Sequence, residues 1–114
     1  MKLSKEVEES IESVVISRLD IDPKYKDIVM TDIKRGLDLV EYILQDYDKN
    51  LHISNVTSVG FKIIDIHVRY TKGKDVHEIY IPVSIDQLNE VTTIYRISQS
   101  IIYNSYLFNV KEVN

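Results

Sequence analysis

The chain has 114 residues, 44% of them hydrophobic and 28% charged, which are the proportions of one folded domain (1–114) and not of a disordered segment. Its formal charge of -4, with the basic residues thinly spread, weighs against a large nucleic-acid footprint. The lack of cysteine removes thiol nucleophiles and thiolate metal ligands and favours a reducing, cytoplasmic location.

Glu6, Glu8 and Glu9 arrive before any apolar run can begin, which argues against a signal peptide. No run approaches the roughly 18 apolar residues of a membrane span. Leu3, Val7, Ile11, Val14 or Val15, and Leu19 recur at helical spacing and predict an amphipathic helix with Ser4 as its N-cap. Its acidic residues, Glu6, Glu8, Glu9 and Glu12, read first as a solvated face. Docking of a basic partner, or acidic mimicry of a phosphate backbone, is the alternative.

Asp22 and Pro23 then stand at the N-cap and first position of a second, longer helix, where the missing proline N–H costs nothing. Tyr25, Ile28, Ile33, Leu37, Val40, Leu44 and Tyr47 lie on its apolar stripe, with Gly36 inside it. A mid-helix glycine costs about 1 kcal/mol against alanine, which close approach of another element would offset. The short link between the two helices predicts an antiparallel αα-hairpin.

Leu51 to Val59 is the first predicted strand. Ile53, Val56 and Val59 break strict alternation, so a bulge near Asn55 or an edge position is expected, with a turn at 58–60. Ile64, Ile66, Val68 and Tyr70 share one face of the second strand, and Asp65, His67 and Arg69 the other. After a turn at 71–74 the chain returns from Val76 to Val83. Pairing Tyr70 with Asp75 sets Val68 against His77, Ile66 against Ile79 and Ile64 against Ile81, whereas a one-residue slip would split the apolar faces. Ser84 and Gln87 form a capping box for a last helix running to about Tyr106. Residues 107–114 read as a tail able to add a short strand. The whole predicts an α+β, two-layer fold in the order ααβββα, with a three-stranded antiparallel sheet.

In that register His67 lies across from Glu78, Asp65 across from Tyr80, and Arg69 diagonal to Glu78. Asp65, His67, Arg69, Glu78 and Tyr80 therefore form a candidate binding face: a titratable imidazole, a carboxylate to orient it, and an anion binder. The plainer reading is a solvated sheet face with paired charges. No catalytic set is expected there, because an open strand face does not exclude water. His52, His67 and His77 have no metal-ligand spacing, and no metal or cofactor is expected. The lysines around Gly73 read as an ordinary hairpin tip. Tyr95, Tyr103, Tyr106 and Phe108 on the last helix are the candidate protein interface.

The leading functional expectation is a noncatalytic protein-binding or regulatory module, self-associating as a homodimer. Its motive is the open edge of a three-stranded sheet. The alternatives are a small-molecule or nucleotide binder, extending to a weak phosphoesterase, and an acidic decoy of a nucleic-acid-binding protein.

Overall fold

Local signals account for most of the element order. The computed structural model describes residues 3–17 and 19–113, with side chains through Leu107. Helix α1 spans Lys5–Ser17, helix α2 Lys26–Tyr47, strand β1 Leu51–Gly60, strand β2 Ile63–Lys72, strand β3 Asp75–Ser84 and helix α3 Val91–Val113. The fold is thus α+β in the order ααβββα, with a three-stranded antiparallel sheet ordered β1-β2-β3. Among the described residues, no helix is long and apolar enough to cross a membrane.

Ser4 caps α1, its Oγ accepting the N–H of Val7 at 3.2 Å. Asp22 caps a single 3-10 turn at Pro23–Tyr25, which leads into α2 and absorbs the first residues expected of that helix. Three contacts of opposite sense make α1 and α2 an antiparallel pair. The Leu3 N–H donates to Asp38 Oδ1 at 2.8 Å, Lys34 pairs with Glu12 at 2.7 Å, and Lys26 Nζ donates to the Ile16 carbonyl at 3.1 Å.

The helices cover one face of the sheet, with α1 against β1, α3 against β3, and α2 beside both other helices. The core between the layers joins Val7, Ile11 and Val15 of α1 to Ile33, Leu37 and Leu44 of α2, and to Ile64, Ile66, Val68 and Tyr70 of β2. Burying side chains of this size stabilises the fold by about 1.5–3 kcal/mol each. Gly36 sits where α2 meets the segment before α3. A Cβ there would lie 2.5 Å from the Leu88 carbonyl oxygen, so the glycine permits this approach.

The β2–β3 register departs from the expected one by two residues. Tyr70 pairs with His77, Val68 with Ile79, Ile66 with Ile81 and Ile64 with Val83. A two-residue shift preserves which residues face the core, so the apolar pattern does not discriminate between the two registers. The turn does. Lys72 pairs with Asp75, leaving Gly73 and Lys74 as a two-residue loop with Gly73 at φ +62, the positive φ such hairpin turns demand of their first loop residue.

In β1 the register breaks between Ile53 and Asn55, and this bulge brings both Ile53 and Val56 into the core. The turn to β2 lies at Phe61–Lys62, later than expected, with Lys62 at φ 55. Two further expectations fail. Ser84 ends β3 without a side-chain capping bond and is followed by a 3-10 turn at Ile85–Gln87, so α3 begins only at Val91. The segment expected as a strand-forming tail is instead helical up to Val113.

Candidate functional site

The corrected register rearranges the polar face. In a two-residue hairpin the closing pair is hydrogen-bonded, and the alternation makes Arg69–Glu78 and His67–Tyr80 non-hydrogen-bonded pairs, whose side chains approach most closely. Arg69 donates to Glu78 Oε1 from both Nε (3.2 Å) and Nη2 (2.8 Å). Tyr80 donates its hydroxyl to Glu78 Oε2 at 2.5 Å. Both Glu78 oxygens are thereby engaged. The Tyr80 hydroxyl and the Arg69 guanidinium hold the Glu78 carboxyl below its ordinary range, and the same carboxylate pushes the Tyr80 phenol up.

His67 does not meet Glu78. Its ring packs edge-on against Tyr80 with centroids 4.6 Å apart, and its Nε2 shares a 3.0 Å hydrogen bond with Thr57 Oγ1. Asp65 Oδ2 stands 3.9 Å from the same nitrogen, and Asp65 pairs with Pro82, not Tyr80. The five predicted residues therefore do share one face. They divide, however, into an Arg69–Glu78–Tyr80 set and a Thr57–His67–Asp65 set joined by the ring contact. Their polar atoms bond to one another across three strands, so the arrangement locks strand pairing and leaves Asp65, at 3.9 Å, as the carboxylate beside His67 in place of the expected Glu78. Among the described residues, no three histidines or acids come together to hold a metal ion.

Three of the four residues of the expected interface on α3 are described. Tyr95, Tyr103 and Tyr106 are exposed, Tyr103 at 70%, and helical spacing sets them along one stripe. The Phe108 side chain lies outside the described residues.

The outer edge of β1 carries a feature that the amino-acid pattern did not reveal. Before the bulge, the outward peptide groups of β1 are closed by α2. The Glu41 carboxylate accepts the Ile53 N–H at 3.0 Å, and Gln45 Nε2 donates to the Leu51 carbonyl. Glu41 is only 6% exposed, and burial pushes its carboxyl up from the ordinary 4.5 despite these hydrogen bonds. Here α2 stands in for a fourth strand and guards the edge. The signal for Glu41 was its position on the apolar stripe, four residues after Leu37 and three before Leu44.

After the bulge the edge is different. Ser58 pairs with Ile64, whose own peptide groups face β3, so the N–H and C=O of Ser58 turn away from the sheet. The outward N–H of Val56 is taken by Asn55 Oδ1 at 2.9 Å, but its carbonyl also faces outward. These groups open on a groove of 840 Å³ between α1 and β1, lined by Ser10, Ser13 and Val14 on one side, Asn55 to Ser58 on the other, and Asp20 and Phe61 at its end. A smaller cavity of 340 Å³ lies at the other end of β1, where Ser4 and Glu6 face His52 to Ser54 beside Glu41 and Gln45. The two sets ascend α1 and β1 together, so helix and strand run the same way, with the smaller cavity ahead of the 840 Å³ trough. At the opposite edge of the sheet, Pro82 of β3 places its N–H-free nitrogen outward.

Comparison with family models, with curated proteins and with solved structures finds no match to this chain.

Proposed function

We propose that this protein is a noncatalytic binding module that takes an extended polypeptide segment against the outer edge of β1, in the trough beside α1. One observation carries the reading. The peptide groups of Ser58 and the Val56 carbonyl point away from the sheet into an 840 Å³ groove, while the earlier half of the same edge is closed by Glu41 and Gln45. An added strand supplies the missing ladder bonds, and alternate side chains of the segment enter the groove between Ser10, Ser13 and Val14. The absence of cysteine favours an intracellular setting for this role.

Ser58→Pro is the direct test, since it deletes the outward N–H without removing a bond of the β1–β2 ladder. A random-peptide library is selected on the wild-type protein, and the recovered peptides are measured against Ser58→Pro and against Ser13→Trp, which fills the groove. Loss of binding in both variants, with melting close to wild type, supports strand addition. Undiminished binding to both rules it out.

Self-association is the second reading, favoured by the exposed stripe of Tyr95, Tyr103 and Tyr106 on α3. Sedimentation of wild type and of a Tyr103→Glu, Tyr106→Glu variant tests it, with a dimer lost in the variant as the expected result. A nucleotide or phosphoester site at Asp65, His67, Arg69, Glu78 and Tyr80 has less support, because those groups bind one another on an open face where water is not excluded.

A further inference from the structure

Resting on the strand-addition reading, the charge along the trough points to the chemistry of the segment that enters it: we infer a short basic stretch, about seven residues long, with a lysine or arginine towards each end. The length follows from β1. From Ser54 to Gly60 the edge is seven residues long, six residue steps or roughly 20 Å at the rise of a strand. The charge follows from what stands at the two ends of β1. Glu6 lines the neighbouring smaller cavity beside His52 to Ser54, and Asp20 lines the far end of the groove beside Gly60 and Phe61. Glu9 is exposed one helical turn from Glu6. Between the acids the wall is small and uncharged, formed by Ser10, Ser13 and Val14.

Among the described residues, neither Glu6 nor Asp20 forms an ion pair. Arg69 reaches the Glu6 end but is held by Glu78, and Lys62 lies over the Phe61 ring at 5.4 Å from its centroid. Neither neutralises Glu6 or Asp20. The same geometry disfavours a second copy of this chain as the occupant. Pairing β1 with β1 across a two-fold axis would bring the acids of both α1 helices into one interface, within a molecule whose formal charge is already -4. A basic segment meets the opposite condition, and its lysines or arginines would face acids at both ends of one extended strand.

The probes are two blocked seven-residue peptides of alternating valine and threonine, one with lysine at both ends and the other with glutamate. Binding is measured by fluorescence anisotropy on the full chain at low and high salt. The lysine peptide is expected to bind at least tenfold more tightly than the glutamate peptide, and the advantage to shrink as salt rises. The double variant Glu6→Lys, Asp20→Lys, in which both changes fall on exposed positions, should reverse the preference. Equal binding of the two peptides, abolished in both cases by Ser58→Pro, overturns the charge inference and leaves strand addition standing. Binding of neither peptide overturns both. A β1-mediated dimer that excludes the lysine peptide overturns the inference in favour of self-association.

Discussion

Alanine at Gly36 tests the packing that joins the helical layer to the end of the sheet. Two effects oppose one another. Alanine is about 1 kcal/mol better than glycine inside a helix. The new Cβ, however, would lie 2.5 Å from the Leu88 carbonyl oxygen and 3.3 Å from Leu88 Cβ. A relaxed contact to that oxygen requires the backbone at Leu88 to retreat by roughly 1 Å. Overpacking of this kind costs about 1–3 kcal/mol, and a backbone neighbour cannot rotate away as a side chain can, which favours the upper part of that range. Gly36→Ala should therefore destabilise the protein by about 1–2 kcal/mol, lowering the melting temperature by roughly 5–10 °C. Gly60→Ala is the matched control: nothing lies within 4 Å of its Cβ position, and it has no positive φ. It should stabilise by about 0.4–1 kcal/mol by restricting the unfolded chain. Urea denaturation followed by circular dichroism measures both. A Gly36→Ala protein at least as stable as wild type would refute the close approach of Leu88 to α2, and with it the placement of the segment leading into α3.

Three further outcomes follow from the sites described. Glu41 is raised by burial, so its contribution to stability is fully present below the unfolded value of 4.5 and is lost as pH rises through its higher folded value. Glu41→Gln should flatten that part of the pH–stability profile, and an unchanged slope in denaturation between pH 4 and about 7 would show that Glu41 is not buried as a titrating group. Glu78 has the opposite sign: its depressed carboxyl favours the fold above its unfolded value, and that gain disappears as pH falls through the lower folded one. Glu78→Gln should also bring the Tyr80 phenol down towards its ordinary value, read by NMR titration of labelled tyrosine; an unmoved Tyr80 would break the assigned bond. Finally, Lys62 adopts φ 55, a left-handed conformation that costs a residue with a side chain about 1–2 kcal/mol. Lys62→Gly should raise stability by up to about 1 kcal/mol after the entropic cost of glycine, and a clear loss in thermal melts would contradict the turn.

Local features of this chain were legible in its residues, and long-range ones were not. Alternation along β2 was enough to place Ile64, Ile66, Val68 and Tyr70 inside and Asp65, His67 and Arg69 outside, because the side-chain period of a strand is local. Ser4 and Asp22 declared their capping roles for the same reason, and the broken alternation at Ile53 and Val56 announced the bulge. Ser84 failed as a helix cap although its motif was complete, because the ladder with Ile63 keeps it in β3. The register of the polar face was equally beyond local pattern. A shift of two residues leaves every apolar side chain on its own side, so only the closure of the hairpin over Gly73 determined that Glu78 meets Arg69 and that His67 packs against Tyr80.

The β1 edge shows the same division most clearly. Its strand character was written in the chain, and so was the acid on α1. Whether that edge was open or closed depended on α2 folding back across it, burying Glu41 and Gln45 against one half, and on α1 standing apart from the other half. Glu41 and Gln45 reach residues only twelve and six positions further on, but periodicity marks a buried face without saying which strand edge it covers, so only the packed tertiary structure set the guarded half of the strand apart from the open trough.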